Sequence, residues 1–177
     1  METFEIDLAI TSQSKEYAGV STDRLEAEGF YGQFRIRVGN KSYGYFDKEI
    51  ATQMHPQDDL YYWIKALLKT AVHLSEVKYF VIRDIEHPAR WIEFVDDGRF
   101  AKVSVIDAVG SSDLIVTKPF KEKKTVIELG SIDKTQMINN ILDAANNFIE
   151  NVMNIEPRFA HVQQHKDIAD LIAVAKR

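Results

Sequence analysis

The stretch Arg90-Trp91-Ile92-Glu93-Phe94-Val95-Asp96-Asp97-Gly98-Arg99-Phe100-Ala101-Lys102-Val103-Ser104-Val105-Ile106 decides the fold class. Asp97-Gly98 is a tight-hairpin signal, because such a pair tolerates the positive φ these turns require. Arg90 to Val95 and Phe100 to Val109 flank it, rich in β-branched and aromatic residues that suit a pleated surface. Val77 to Ile85 has the same character upstream. Leu114 to Thr117 and Thr125 to Leu129 read as two more short strands downstream. The basic run Lys118-Pro119-Phe120-Lys121-Glu122-Lys123-Lys124 is expected to join those two as an exposed turn. Together these segments predict a β-meander.

Towards the N-terminus, Phe4, Ile6, Leu8 and Ile10 alternate with polar or small residues, which predicts a half-buried strand. Residues 13–23 are polar and read as a loop. Arg24 to Val38 reads as a strand with Phe34, Ile36 and Val38 on one face, interrupted by Gly29 and Gly32 as a bulge or turn. Gly39-Asn40 then turns the chain into Ser42–Phe46, completing a hairpin. Pro56 is expected to open a helix with Asp58 and Asp59 in its first turn, where negative charge suits the dipole. Its apolar stripe is Leu60, Ile64, Leu67, Leu68, Ala71 and Leu74, and it should end near Ser75.

Towards the C-terminus, Gly130-Ser131 is expected to end the sheet region. Asp133 with Gln136 resembles a capping box. Ile138, Ile141, Ala145, Phe148, Val152 and Ile155 form one helical stripe, with Asn139, Asn140, Asn146, Asn147 and Asn151 mostly away from it. Pro157 stops that helix. A last helix covers roughly 160–176, with Ile168, Leu171, Ile172 and Val174 on its apolar side. Strands come in runs, not singly between helices, so the fold class is α+β. The expected architecture is an antiparallel β-sheet, hairpin plus meander, packed against one central helix and C-terminal helices. One domain over 1–177 is expected, with sheet and helix in 1–130 and helices in 131–177.

Composition narrows the function. Hydrophobic residues make up 45% of the 177, enough for a packed core. Cysteine is absent, which excludes disulfides, thiolate metal ligands and a cysteine nucleophile together. The opening residues lack the pattern of a signal peptide, no run approaches the length of a membrane span, and a cytoplasmic location is expected. Net charge is −5, and residues 1–60 hold the excess, with 6 Lys+Arg against 11 Asp+Glu. A nucleic-acid binder concentrates basic charge instead, so neither nucleic acid nor membrane is expected as a partner. An acidic face suits a basic protein partner.

No common catalytic pattern is present. The eight glycines are scattered, with no phosphate loop or dinucleotide fingerprint, and no cofactor is expected. His161 and His165 stand at i, i+4, which on one helix would bring both to a single ion with Asp167 or Asp170 as third ligand. Exposed polar residues are the plainer reading, and no metal is expected. Glu93, Asp96 and Asp97 gather near one hairpin tip, and Asp84 and Glu86 near a strand end. A solvated tip leaves such acids simply ionised. His55 and His87 each precede a proline and are expected in turns. Phe30, Tyr31, Tyr43, Tyr45 and Phe46 crowd the hairpin, and Tyr61, Tyr62 and Trp63 open the helix. Most are expected in the core, with exposed ones forming a protein-binding patch. The expected partner-binding residues are Glu26, Glu28, Tyr43, Tyr45, Asp47, Glu49, Asp58, Asp59 and Tyr62.

The run Glu28-Gly29-Phe30-Tyr31-Gly32-Gln33-Phe34-Arg35-Ile36-Arg37-Val38, then Tyr43–Phe46, Asp59-Leu60-Tyr61-Tyr62-Trp63-Ile64 and Arg90-Trp91-Ile92-Glu93-Phe94 before Asp97-Gly98, resembles small bacterial immunity proteins. These belong to polymorphic-toxin and contact-dependent growth-inhibition systems. The resemblance covers about residues 25–108 and is one of residue types and spacings. It implies a cytosolic, non-enzymatic protein that neutralises a basic toxin domain, often a nuclease, by occluding its active site. Two other classes fit the chain: a metal-assisted hydrolase using His161 and His165, and an adaptor self-associating through the long helix 133–155.

Overall fold

The computed structural model describes residues 2–11, 14–47 and 58–176. The α+β class is correct, but its strands form two antiparallel sheets. In the first, β1 (Phe4–Ile10), β2 (Tyr31–Val38) and β3 (Lys41–Tyr45) lie in that order, and the two-residue β4 (Asp58–Asp59) also pairs with β2. The second contains β5 (Tyr79–Arg83), β6 (Arg90–Asp97), β7 (Phe100–Ala108), β8 (Ile115–Val116) and β9 (Lys123–Asp133), in the spatial order β8-β5-β6-β7-β9. The helices are α1 (Thr22–Glu28), α2 (Leu60–Val77), α3 (Lys134–Ile155) and α4 (Gln163–Ala175), with one-turn 3-10 helices at Ser14–Tyr17 and Pro157–His161. Among the described residues, no helix is long and apolar enough to cross a membrane.

The hairpin forms, but its two-residue turn is Gly98-Arg99: Asp97 ends β6 opposite Phe100, and Gly98 alone takes the positive φ, +69°. Period two carries through both strands. Ile92 and Phe94 face the main core with Val103 and Val105, while Trp91 faces the other side with Ile106. The main core takes residues from both sheets and from all four helices. Phe34 stacks on Trp63 with centroids 4.3 Å apart, which binds β2 to the first turn of α2. Such a pair contributes about 0.5–1.5 kcal/mol beyond its buried area.

Several expectations are corrected. Arg24 to Glu28 is helical, not strand, and the polar stretch before it holds a 3-10 turn and the start of α1. Gly29, at φ +62°, ends that helix, so β2 starts only at Tyr31. The central helix begins at Leu60, and Pro56 lies outside the described residues. Asp58 and Asp59 precede the first turn, and Asp59 is the N-cap, its carboxylate accepting from Tyr62 N–H at 3.1 Å. β9 runs through Gly130-Ser131 to Asp133, which caps α3 by accepting from Thr135 and Gln136 N–H. Val174 is exposed, not on the apolar side of α4.

The basic run is not a turn between neighbouring strands. β8 and β9 lie at opposite edges of the second sheet, so the chain crosses four interstrand spacings, roughly 19 Å. Residues 117–122 cover about 20 Å when extended. Midway, Phe120 packs on Trp91 with centroids 4.9 Å apart. Beneath it Glu93 is buried, accepting from Tyr79 Oη at 2.6 Å and Ser104 Oγ at 2.9 Å and pairing with Lys123. The Asp96 side chain is likewise enclosed and pairs with Lys78 and Lys134, each at 2.7 Å. Of the three acids read as a wet hairpin tip, only Asp97 is exposed.

Candidate functional site

A cleft of about 270 Å³ opens where the two sheets meet, lined by residues 43–45, Phe34, Asp58, Trp63, Asp84, Glu86, His87 and Arg90. Local chemistry places each side chain. The Gly39–Asn40 turn sets the register Ile36 to Tyr43 and Phe34 to Tyr45, so both tyrosines share the face of β2 that carries Phe34 and Ile36. Gly44 between them has φ +92°, and a Cβ built there would overlap the Phe34 carbonyl oxygen. Only glycine permits so close a pairing of β3 with β2. Asp58 is anchored by its pairing with Gly32 and by its carboxylate, which accepts from Trp63 Nε1–H at 3.1 Å.

The opposite wall is the turn between β5 and β6. Asp84 is buried at 5% exposure and its Oδ1 accepts from the N–H groups of Glu86 at 2.9 Å and His87 at 3.2 Å. That is an Asx-type turn, which satisfies the local backbone without a regular element. Asp84 Oδ2 lies 3.1 Å from His87 Nδ1 and accepts a hydrogen bond from the Tyr43 hydroxyl. Arg90 lines the cleft with its guanidinium turned to Asp107, at 2.9 Å.

The electrostatics follow from this arrangement. Asp58 is pushed up to about 6, chiefly by burial and further by the negative charges of Asp84 and Glu86, against the Trp63 hydrogen bond. The Tyr43 hydroxyl is pushed well above its ordinary value by burial and then by the neighbouring Asp84 carboxylate. Three carboxylates thus face one guanidinium that is already paired. Burial and its acidic neighbours bring Asp58 toward the neutral range, and Asp84 orients the His87 imidazole. Among the described residues, no serine or threonine lines the cleft. The geometry suits a cationic group seated against carboxylates and aromatic rings.

The expected binding residues are divided by the fold. Tyr43, Tyr45 and Asp58 meet in the cleft. Asp59 and Tyr62 line a separate cavity of about 560 Å³ beside Lys65, Lys69 and Leu114, where Tyr62 Oη–H donates to the Arg83 carbonyl at 2.6 Å. Asp47 follows β3, and its N–H donates to Gln33 Oε1 at 2.8 Å. Glu26 and Glu28 fall on α1, which packs against the Pro157–His161 turn; their side chains, like the whole of Glu49 and His55, lie outside the described residues. Trp63, Asp84, Glu86, His87 and Arg90 line the cleft without having been among the expected partner-binding residues, although Asp84 with Glu86 was weighed as a carboxylate pair. A further sequence signal is Asp84 three residues before a His-Pro turn, the spacing of an Asx-type cap.

The paired-histidine site is not formed. His161 ends the 3-10 helix and is exposed, whereas His165 belongs to α4 and is buried. Asp167, one of the two suggested third ligands, pairs with Lys65. Among the described residues no group of three or more His, Asp or Glu is arranged to hold a metal ion. The stripe read as an adaptor surface is occupied too, since Ile141, Ala145, Phe148 and Val152 are buried in the chain's own core. Comparisons of this chain with protein-family models, with curated proteins and with solved structures found no match in any of the three.

Proposed function

We propose that this chain is an immunity-type inhibitor that binds a basic toxin domain in the bacterial cytoplasm and blocks its active site. The observation that carries the reading is the cleft in which Asp58, Asp84 and Glu86 converge beside Tyr43 and Tyr45. A toxin that acts on nucleic acid carries lysines and arginines to hold phosphate. Carboxylates fixed before binding compete for those cations with little further loss of side-chain entropy. Tyr45, exposed at 41%, offers a flat amphipathic ring at the rim, the kind of side chain that dominates protein interfaces. The acidic balance of residues 1–60 would speed encounter with a basic partner.

Co-expression with the product of the adjacent gene tests this. The neighbour should be toxic alone, rescued by this chain, and retained in a complex that weakens as salt rises. Reversal of two cleft charges, Asp58→Lys with Glu86→Lys, should weaken the complex by at least about a hundredfold, as loss of close interfacial charge pairs does. A harmless neighbour, or a complex indifferent to that double reversal, defeats the proposal.

A further inference from the structure

On the opposite edge of the first sheet from the cleft, β1 has no second neighbour among the described strands. Gly39 N–H donates to the Thr3 carbonyl at 2.8 Å, and Thr11 N–H to the Tyr31 carbonyl at 3.0 Å. In an antiparallel ladder this fixes the alternation, so odd-numbered residues of β1 turn their backbone groups toward β2. The N–H and C=O of Ile6, Leu8 and Ile10 therefore point away from the sheet. They point into a groove of about 530 Å³ whose other wall is α3.

That wall carries amides. Asn147, Asn151 and Asn154 stand at i, i+4 and i+7 on one face of α3, are exposed, and line the groove with Glu150. Their successive rises along the helix are about 6 and 4.5 Å. The outward groups of β1 recur every two residues, about 6.6 Å. Where the groove closes, Asn140 Nδ2–H already donates to the Phe4 carbonyl, so α3 satisfies this same edge when it comes within reach. Apart from the flanking α3, the edge lacks the usual guards against added strands. β1 contains no lysine, proline or bulge, and its two acids are tied to Arg35 and Arg37 of β2.

We propose that this groove takes an extended segment of a partner protein, which adds as a strand to β1 and is gripped from the far side by the α3 asparagines. Only polypeptide supplies donors and acceptors at the two-residue repeat on both of its edges, and each asparagine amide can both donate to and accept from a peptide group. The floor between the walls is apolar, formed by Ala144, Phe148 and Ile155, so alternate side chains of the segment should be apolar. Among the described residues, Glu150 is the one ionisable group lining the groove, and it favours a neutral or basic segment. A second copy of this chain is the poorer occupant, because its β1 would bring its own β2 and α3 with it into the groove. This site is independent of the acidic cleft.

The test selects a phage-displayed library of short random peptides against the immobilised full-length chain and measures the enriched peptides by fluorescence anisotropy. Enriched peptides should carry apolar residues at alternate positions. Saturating peptide should slow hydrogen exchange at the Ile6, Leu8 and Ile10 amides by at least about tenfold. Asn147→Ala with Asn151→Ala should weaken binding by about tenfold or more, the loss of two modest hydrogen bonds, and leave the melting temperature unchanged because both residues are exposed. Failure to enrich any peptide, or peptides that bind with those three amides exchanging at the free rate, overturns the proposal. Protection of the same amides without peptide, in a concentration-dependent dimer, also overturns it by making the occupant a second copy.

Discussion

The hydroxyl of Tyr43, on β3 of the first sheet, donates to the buried carboxylate of Asp84, just beyond β5 of the second. The bond spans the seam between the sheets and forms one side of the acidic cleft. The same carboxylate orders the His87 turn, so a single buried acid couples the sheet junction to the shape of the site.

Tyr43→Phe should destabilise the fold by about 1–2 kcal/mol, since it removes one hydrogen bond to a buried charge and leaves the backbone donors of Asp84 in place. Urea unfolding measures this. In an Asp84→Asn background the same change should cost less than about 0.5 kcal/mol, because the two side chains act as one unit. Equal costs in both backgrounds would dissociate the pair.

Asp58 should make stability depend on pH. Its folded value of about 6 lies above the ordinary 3.8, so the fold favours the protonated acid. That contribution is fully present below about pH 4 and is lost as pH rises through about 6. Asp58→Asn keeps an acceptor for Trp63 and cannot ionise. The variant should match wild type near pH 4 and exceed it above pH 7 by on the order of 1 kcal/mol, a figure discounted for solvent screening of a partly exposed group. The same variant should bind the basic partner more weakly. A stabilised protein with weakened binding is the signature of a charge kept for function.

His165 should act in the opposite direction. Burial lowers its pKa below the ordinary 6.5, and its Nδ1 has no hydrogen-bond partner among the described residues. The fold favours the neutral ring, so its contribution is present above pH 6.5 and is lost as pH falls. His165→Leu removes the enclosed polar atom at similar volume. Guanidinium unfolding should find the variant at least as stable at pH 7, with an advantage that grows between pH 6.5 and 5. An advantage that shrank on acidification would contradict this.

Gly44→Ala tests the close approach of β3 to β2. The substitution places a Cβ at φ +92° and against the Phe34 carbonyl, so it should cost at least about 2 kcal/mol. Gly98→Ala is the control. Its φ is also positive, +69°, but nothing lies within 4 Å of the added atom, and its cost should stay near 1 kcal/mol. Thermal unfolding of the two variants separates crowding from backbone strain.

The parts legible in the sequence are those with local causes. The meander around Asp97-Gly98, the hairpin at Gly39-Asn40 and the stripes of α2 and α3 follow from periods of two and 3.6, which neighbouring residues impose on one another. Misreadings fell where local signals compete. Arg24 to Glu28 lacks a strong apolar period, and packing of Leu25 into the core settles it as helix. Pro56 suggested a helix start that the side chain of Asp59 provides instead.

By itself, then, the sequence determined the α+β class, most strands and helices, the absence of cysteine chemistry and the acidic character of the first third. Only the tertiary structure decided that the strands split into two sheets, that residues 117–122 cross the second sheet, and that His161 and His165 part company. It also decided which acids meet. Tyr43, Asp58 and Asp84 are brought together by strand pairing and by the docking of α2, contacts between residues far apart in the chain. No local period encodes such contacts. The cleft is therefore a property of how the two sheets meet, and the sequence alone showed only the carboxylates and rings from which it is made.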